Sequence, residues 1–180
     1  CNFSILQSLP DSWAINQVSP IMPIHRLGDE PTKSSILVDI TCDSDGKIDS
    51  FIQEEGITSH IRLHQLDAGK KYYLGVFLIG AYQEVLGDIH NLFGDINAVH
   101  VSHDENYQVT FNHVIEGDTV DELLKYVHYD TTDMLSNVKK GILKAVKEKK
   151  LTKDEAHILS NFYSIGLHGY TYLEESRMEL

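Results

Sequence analysis

The sequence predicts a mainly β fold that is followed by a helical ending. Residues 1–115 alternate short apolar runs with turn-forming pairs, the pattern of an antiparallel barrel or sandwich. From Glu116 onward, apolar residues recur at helical spacing behind good N-caps. We therefore predict a β domain over residues 1–115 and a helical extension over residues 116–180.

Branched and aromatic residues mark the strands of the predicted β domain. Residues 1–9 alternate loosely up to the turn pair Pro10-Asp11, whereas Pro20 and Pro23 restrict residues 13–24 to extended or edge structure. The other predicted extended segments are residues 35–41, 47–52 and 61–66, and a hairpin made of residues 98–103 and 107–114.

Residues 72–81 form the most apolar run of the chain, which indicates a strand buried on both faces. This strand would end at Tyr82. A tyrosine in such a position is more often a packing residue with a wet hydroxyl than a functional group.

Three helices are predicted after the β domain. Asp118 or Thr119 would cap the first, Thr131 or Thr132 the second, and a Thr152–Glu155 capping box the third. Gly166 and Gly169 would end the third helix, and residues 174–180 read as a frayed tail. Lysines 139, 140, 144 and 147 form a solvated face on the second helix.

Composition narrows the function classes. A formal net charge of −12 argues against binding to nucleic acid, because phosphates would be repelled. Neither a membrane-spanning run nor a secretory signal is evident, so we expect a cytoplasmic protein without membrane contact. A start at Cys1 rather than Met suggests a piece of a longer chain.

The segment from Thr41 to Gly46 is a turn that presents a thiol and two carboxylates. A calcium loop is excluded, because its twelfth position would be Ile52 instead of a glutamate. Two interpretations stay open: an acidic hairpin turn with an incidental cysteine, or Cys42 as a proton donor beside a carboxylate, Asp43, that binds a cation.

Ten histidines invite a metal hypothesis. His60 and His64 have the i, i+4 spacing of a zinc helix, but they lack the glutamate of that motif and lie in a segment predicted to be extended. We therefore assign no metal ligands.

Three segments in this order resemble the C-terminal third of the biosynthetic arginine decarboxylases, which use pyridoxal 5′-phosphate. They are residues 2–15 (NFSILQSLPDSWAI), 39–46 (DITCDSDG) and 73–95 (YLGVFLIGAYQEVLGDIHNLFGD). The resemblance implies a β domain of the alanine-racemase C-terminal type with a helical extension. The TIM-type barrel that carries the cofactor's lysine would precede it, outside this chain.

The resemblance also implies roles. Cys42 would enter the active site of a partner subunit in a homodimer or higher oligomer and protonate the carbanion left by carbon dioxide. Asp43 would hold the cationic part of L-arginine, and Tyr82 would reach the cofactor phosphate. The resemblance also makes magnesium a candidate second cofactor, and we assign no residues to it. The product would be agmatine, for polyamine and spermidine biosynthesis.

Several alternatives remain. The substrate could instead be ornithine, lysine or diaminopimelate, or the fold could serve as a non-catalytic dimerisation or binding module. Without the barrel, the fragment is expected to be inactive and to expose apolar surface made for other polypeptide.

Overall fold

The computed structural model describes residues 1–174. Contacts divide the chain into two compact units, Cys1–Phe93 and Gly94–Leu180. In this division, the hairpin of residues 98–115 groups with the helices that follow it. Part of the predicted tail, residues 175–180, lies outside the described residues.

The first unit begins with two short helices, α1 (Ile5–Ser8) and α2 (Pro10–Ala14). The strand predicted for residues 1–9 is therefore wrong. Ser4 caps α1, since its hydroxyl accepts a hydrogen bond from the Gln7 amide at 3.3 Å, and Pro10 suits the first turn of α2. The apolar residues of this segment alternate only loosely, and their spacing also fits a helix, of which one face is buried.

Short strands follow the two helices. They are β1 (Ile21–Pro23), β2 (Lys33–Ser35), β3 (Leu37–Val38), β4 (Lys47–Ile48), β5 (Phe51–Gln53), β6 (Gly56–Thr58), β7 (Ile61–Leu63) and β8 (Leu74–Val76). All pair antiparallel, as β1–β8, β2–β7, β3–β4 and β5–β6. A mixture of β structure and helix is thus confirmed, but these sheets are two-stranded and not closed, so the barrel or sandwich is not observed in the described residues.

The core of the first unit is built from α1 and four of the strands. It consists of Ile5, Leu6, Leu9, Leu37, Ile48, Phe51, Ile61 and Leu63, each at most 7% exposed. Burial of this apolar surface is the main force that holds α1 against the strands.

The apolar run of residues 72–81 is strand only over β8, and it is not buried on both faces. The chain leaves the strand before Leu78, whose φ is +58° and whose side chain is 91% exposed. After it come α3 (Tyr82–Val85) and a 3₁₀ turn, His90–Leu92.

The predicted hairpin is confirmed in the second unit as β9 (Ala98–His103) paired with β10 (Val109–Ile115). Its turn is organised by Asp104, whose carboxylate accepts hydrogen bonds from the amides of Asn106 (2.8 Å) and Gln108 (2.9 Å). The polar residues that predicted the turn therefore form it directly.

Three helices complete the second unit: α4 (Val120–Tyr126), α5 (Thr131–Lys147) and α6 (Lys153–Leu167). Capping boxes at Thr119 and Thr152 confirm the first and third predicted starts. The second cap is Asp130 rather than a threonine, and α6 continues through Gly166 to a C-cap at His168. No helix among residues 1–174 combines the length and hydropathy needed to cross a bilayer.

We expect Thr152→Ala to destabilise α6 by about 1 kcal/mol, the usual cost of losing an N-cap side chain. The hydroxyl accepts from the Glu155 amide at 3.2 Å and donates to the Glu155 carboxylate at 2.8 Å, and alanine can do neither. Urea denaturation followed by far-UV circular dichroism measures the loss. Thr152→Ser keeps the hydroxyl and is the control; equal stability of the alanine and serine variants would contradict the prediction.

Because Glu155 takes part in the cap, the difference in unfolding free energy between wild type and Thr152→Ala should depend on pH. The backbone and side-chain hydrogen bonds from Thr152 lower the pKa of Glu155 below its ordinary value of 4.5. A lowered folded-state pKa stabilises the fold above pH 4.5, and this contribution disappears as the pH falls through the folded-state pKa. Thr152→Ala removes the side-chain hydrogen bond but keeps the backbone one, so the stability gap between wild type and this variant should narrow in acid by the side-chain contribution alone.

Candidate functional site

The turn that carries Cys42 connects β3 to β4 and has the geometry predicted for it. The Asp45 amide donates to the Asp43 side chain at 2.8 Å, and the Gly46 amide donates to the Asp43 carbonyl at 3.2 Å. Cys42 is exposed and is not part of a disulfide. Cys42 therefore lies on the surface of its own unit.

The side chain of Asp39 stabilises this turn by accepting hydrogen bonds. Its Oδ1 accepts hydrogen bonds from the Thr41 amide (2.9 Å) and the Thr41 hydroxyl (2.7 Å), and its Oδ2 accepts from the amide of Ile5 in α1 (2.9 Å). The Asp39 amide donates to the Gly46 carbonyl at 2.8 Å, which closes the base of the turn. Asp39 was not among the predicted site residues, although an aspartate side chain often accepts a hydrogen bond from the backbone amide two residues further along the chain.

Gly46 is required by this arrangement. A Cβ at this position would overlap Asp39 Oδ1 and would lie 2.6 Å from Thr41 Oγ1. A glycine therefore lets the backbone approach the carboxylate closely.

Asp43 follows Cys42, and its carboxylate already contacts other residues. Its Oδ2 is 3.2 Å from His90 Nε2, and both side chains are about one-third exposed. A neutral His90 can donate its Nε2 hydrogen to Asp43, and the carboxylate still has free lone pairs. Asp43 can therefore accept a further hydrogen bond from a cationic group.

Tyr82 is the first residue of α3 and not the last residue of a strand, because β8 ends at Val76. Its side chain is 74% exposed. All three predicted site residues lie in the first unit, where Cys42 and Asp43 are neighbours in the chain and Tyr82 belongs to a separate segment.

The helices α1 and α2 are the common support of both site segments. On the side of the cysteine turn, the Ile40 amide donates to the Phe3 carbonyl at 3.1 Å, next to the bond between Asp39 and α1. In addition, the Trp13 indole N–H donates to the Asp45 carboxylate at 3.3 Å. The turn is thus attached to both helices.

On the other side, α3 is attached to the same two helices. Gln83, the neighbour of Tyr82, donates from its side-chain amide to the Asp11 carboxylate at 2.6 Å and accepts from the Asp11 amide at 3.3 Å. The Asp88 amide donates to the Leu6 carbonyl at 2.9 Å. Our sequence analysis did not identify this long-range pairing, because residues 72 positions apart give no local signal.

Several apolar residues that are close to Tyr82 in the sequence are exposed in the described part of the chain. Exposed fractions are 42% for Phe77, 38% for Ile79, 75% for Val85 and 57% for Leu86. Such clustered exposure is typical of a surface that contacts other polypeptide. The expected exposed apolar surface is therefore present.

The histidines of the first unit do not form a metal centre. His64 is buried, and its ring nitrogens lie 2.7 Å from the Tyr72 hydroxyl and 3.1 Å from the Asp29 carbonyl oxygen. In the part of the chain that the structure describes, no three His, Cys, Asp or Glu side chains are grouped to hold a metal ion. No residue is therefore assigned to magnesium.

Comparisons with known proteins agree over both units. The family model described as the arginine decarboxylase C-terminal helical extension matches residues 120–173, which begin at the first residue of α4. Biosynthetic arginine decarboxylase from Gloeobacter violaceus is 50% identical over all of this chain and 29% of its own length. The enzyme of that name from Bacteroides thetaiotaomicron is 51% identical over 97% of this chain and 28% of its own length.

A solved structure is similar as well. The crystal structure of the biosynthetic arginine decarboxylase SpeA from Campylobacter jejuni matches with a TM-score of 0.82 at 36% identity, over 97% of this chain and 28% of that one. The chain thus spans less than a third of the length of the relatives it matches. Throughout its length, it is a homologue of the C-terminal portion of the biosynthetic arginine decarboxylases, the family that the three sequence segments predicted.

Proposed function

We propose that this chain is the C-terminal part of a pyridoxal-phosphate enzyme that converts L-arginine to agmatine and carbon dioxide in polyamine biosynthesis. The observation that carries the proposal is about 50% identity over the whole chain to proteins named biosynthetic arginine decarboxylase. Those names favour arginine over ornithine, lysine or diaminopimelate as the substrate. The enzyme would be cytoplasmic.

Two groups of this chain could serve bound pyridoxal phosphate, one by a hydrogen bond to its phosphate and one by proton transfer. An exposed phenol, that of Tyr82, can donate a hydrogen bond to a phosphate, and the exposed Cys42 thiol can move a proton. The lysine that holds the cofactor would come from the TIM-type barrel outside this chain. When bound, pyridoxal phosphate supplies the electron sink for loss of carbon dioxide.

Each site residue then has one task. Asp43 accepts hydrogen bonds from the cationic substrate, and its existing bonds to Asp45 and His90 fix its orientation. After carbon dioxide has left, Cys42 Sγ delivers a proton to the α-carbon, and solvent reprotonates the thiolate. Tyr82 orients the cofactor phosphate.

We propose that the site is completed by a partner subunit of a homodimer or higher oligomer. The exposed thiol and the uncovered apolar side chains around Tyr82 support this, since a complete active site would shield both. In the same way, the open two-stranded pairs of the first unit would be completed into an alanine-racemase-type β domain in the full-length enzyme. A non-catalytic assembly module is the rival proposal, and the Cys42 test below distinguishes the two.

The chain alone should not decarboxylate arginine, whereas the full-length enzyme should. We also expect the chain alone to bind pyridoxal phosphate at least roughly 100-fold more weakly than the full-length enzyme does, because the lysine and most phosphate contacts would belong to the barrel. Agmatine formation and equilibrium dialysis measure the two properties. Stoichiometric micromolar binding by the chain alone would refute this prediction.

Cys42→Ala in the full-length enzyme should lower kcat by roughly 100-fold or more, the usual contribution of a general acid. The dissociation constant of pyridoxal phosphate should not change, since the thiol is not assigned to cofactor binding. Cys1→Ala, at the other exposed cysteine, is the matched control. Full turnover by the Cys42 variant would remove its catalytic role and favour the assembly module.

Tyr82→Phe in the full-length enzyme should raise the dissociation constant of pyridoxal phosphate by about tenfold. A hydrogen bond to a charged group contributes roughly 1.5–3 kcal/mol, and 1.4 kcal/mol corresponds to a factor of ten. Tyr126→Phe, at another exposed tyrosine on α4, should leave the constant unchanged. Identical constants for the two variants would disprove the contact.

A further inference from the structure

We propose that Asp39 is the positioning residue for the Cys42 thiol: its carboxylate fixes the turn so that the thiol delivers its proton to one face of the α-carbon. The inference rests on the proposed function, because it concerns the group assigned there as proton donor. Asp39 itself touches neither substrate nor cofactor in this proposal.

The first support is the number of bonds that one side chain makes. Both Asp39 oxygens are used, with two bonds to Thr41 and one to Ile5, all between 2.7 and 2.9 Å. Thr41 directly precedes Cys42, so its fixed backbone determines where the next Cα lies. An ionised carboxylate accepts such bonds more strongly than a neutral amide does.

The second support is the direction of these bonds. The bond to Thr41 is local, but the bond to Ile5 reaches α1, which lies in the hydrophobic core and is 1% exposed at Ile5. Asp39 therefore attaches an exposed turn to the most buried helix of the unit. Without this connection, the attachment of the turn to the N-terminal helices would rest on the hydrogen bonds from Ile40 to Phe3 and from Trp13 to Asp45.

The third support is Gly46, which keeps the space next to the carboxylate free. A side chain there would overlap Asp39 Oδ1. Gly46→Ala therefore displaces the carboxylate without changing its chemistry. It provides a test that is independent of substituting Asp39.

The experiment compares Asp39→Asn and Gly46→Ala with Cys42→Ala in the full-length enzyme. Turnover in deuterium oxide introduces one deuterium at the former α-carbon of agmatine, and its stereochemical purity reports which face received it. We expect both positioning variants to lower kcat about tenfold with little change in KM, and to lose stereochemical purity. A merely structural weakening would reduce the amount of active enzyme but would not alter stereochemistry.

Two substitutions serve as matched controls. Asp49→Asn removes a carboxylate that directly follows β4 and forms an ion pair with exposed Lys47 at 2.7 Å. Gly28→Ala adds a methyl group where no atom lies within 4 Å. Both should retain wild-type kcat and stereochemistry.

Amide hydrogen exchange in the cofactor-free enzyme gives a readout apart from activity. The Thr41 amide loses its negatively charged acceptor in Asp39→Asn, and its exchange should accelerate about tenfold or more relative to Asp49→Asn. Thermal denaturation of every variant establishes that it is folded.

The outcomes separate the two proposals. If Cys42→Ala impairs protonation while Asp39→Asn and Gly46→Ala keep wild-type stereochemistry and exchange, the positioning role is wrong and the proposed function stands. If Cys42→Ala has full activity and stereochemistry, the proposed function loses its proton donor, and with it Asp39 loses its catalytic purpose.

Discussion

The burial of α1 is the interaction on which the rest of the first unit depends. Ile5, Leu6 and Leu9 fill the centre of a core whose other walls come from very short strands. Two-stranded sheets of two or three residues per strand are marginal by themselves. Their stability therefore comes from packing against this helix rather than from their own hydrogen-bond ladders.

The same helix explains how an exposed site can be ordered. Cys42 and Tyr82 lie on segments with little packing of their own, yet hydrogen bonds attach both segments to α1 and α2. Rigid support from buried elements is a general requirement for a catalytic group, because small displacements of a reacting atom are costly. The apolar residues next to Tyr82 in the sequence are exposed although this segment is ordered, a combination typical of surfaces that contact other polypeptide.

Features with local causes were predictable. The capping boxes at Thr119 and Thr152 and the hairpin turn at Asp104 involve neighbours within four residues, so the sequence displays them directly. The strand predicted for residues 1–9 failed because a loose alternation of apolar residues fits both periods over so short a length. The long strand predicted for residues 72–81 failed for a different reason: many of its apolar side chains are exposed, and hydropathy cannot distinguish an exposed apolar segment from a buried one.

By itself, the sequence determined the family, the β9–β10 hairpin and the three helices that follow it, since each of these is carried by a contiguous stretch of the chain. Only the tertiary structure revealed that Asp39 links the turn to α1 and that Asp11 pairs with Gln83. Both depend on hydrogen bonds between residues far apart in the chain. Such bonds form only after the core has brought their partners together, and no local pattern encodes them.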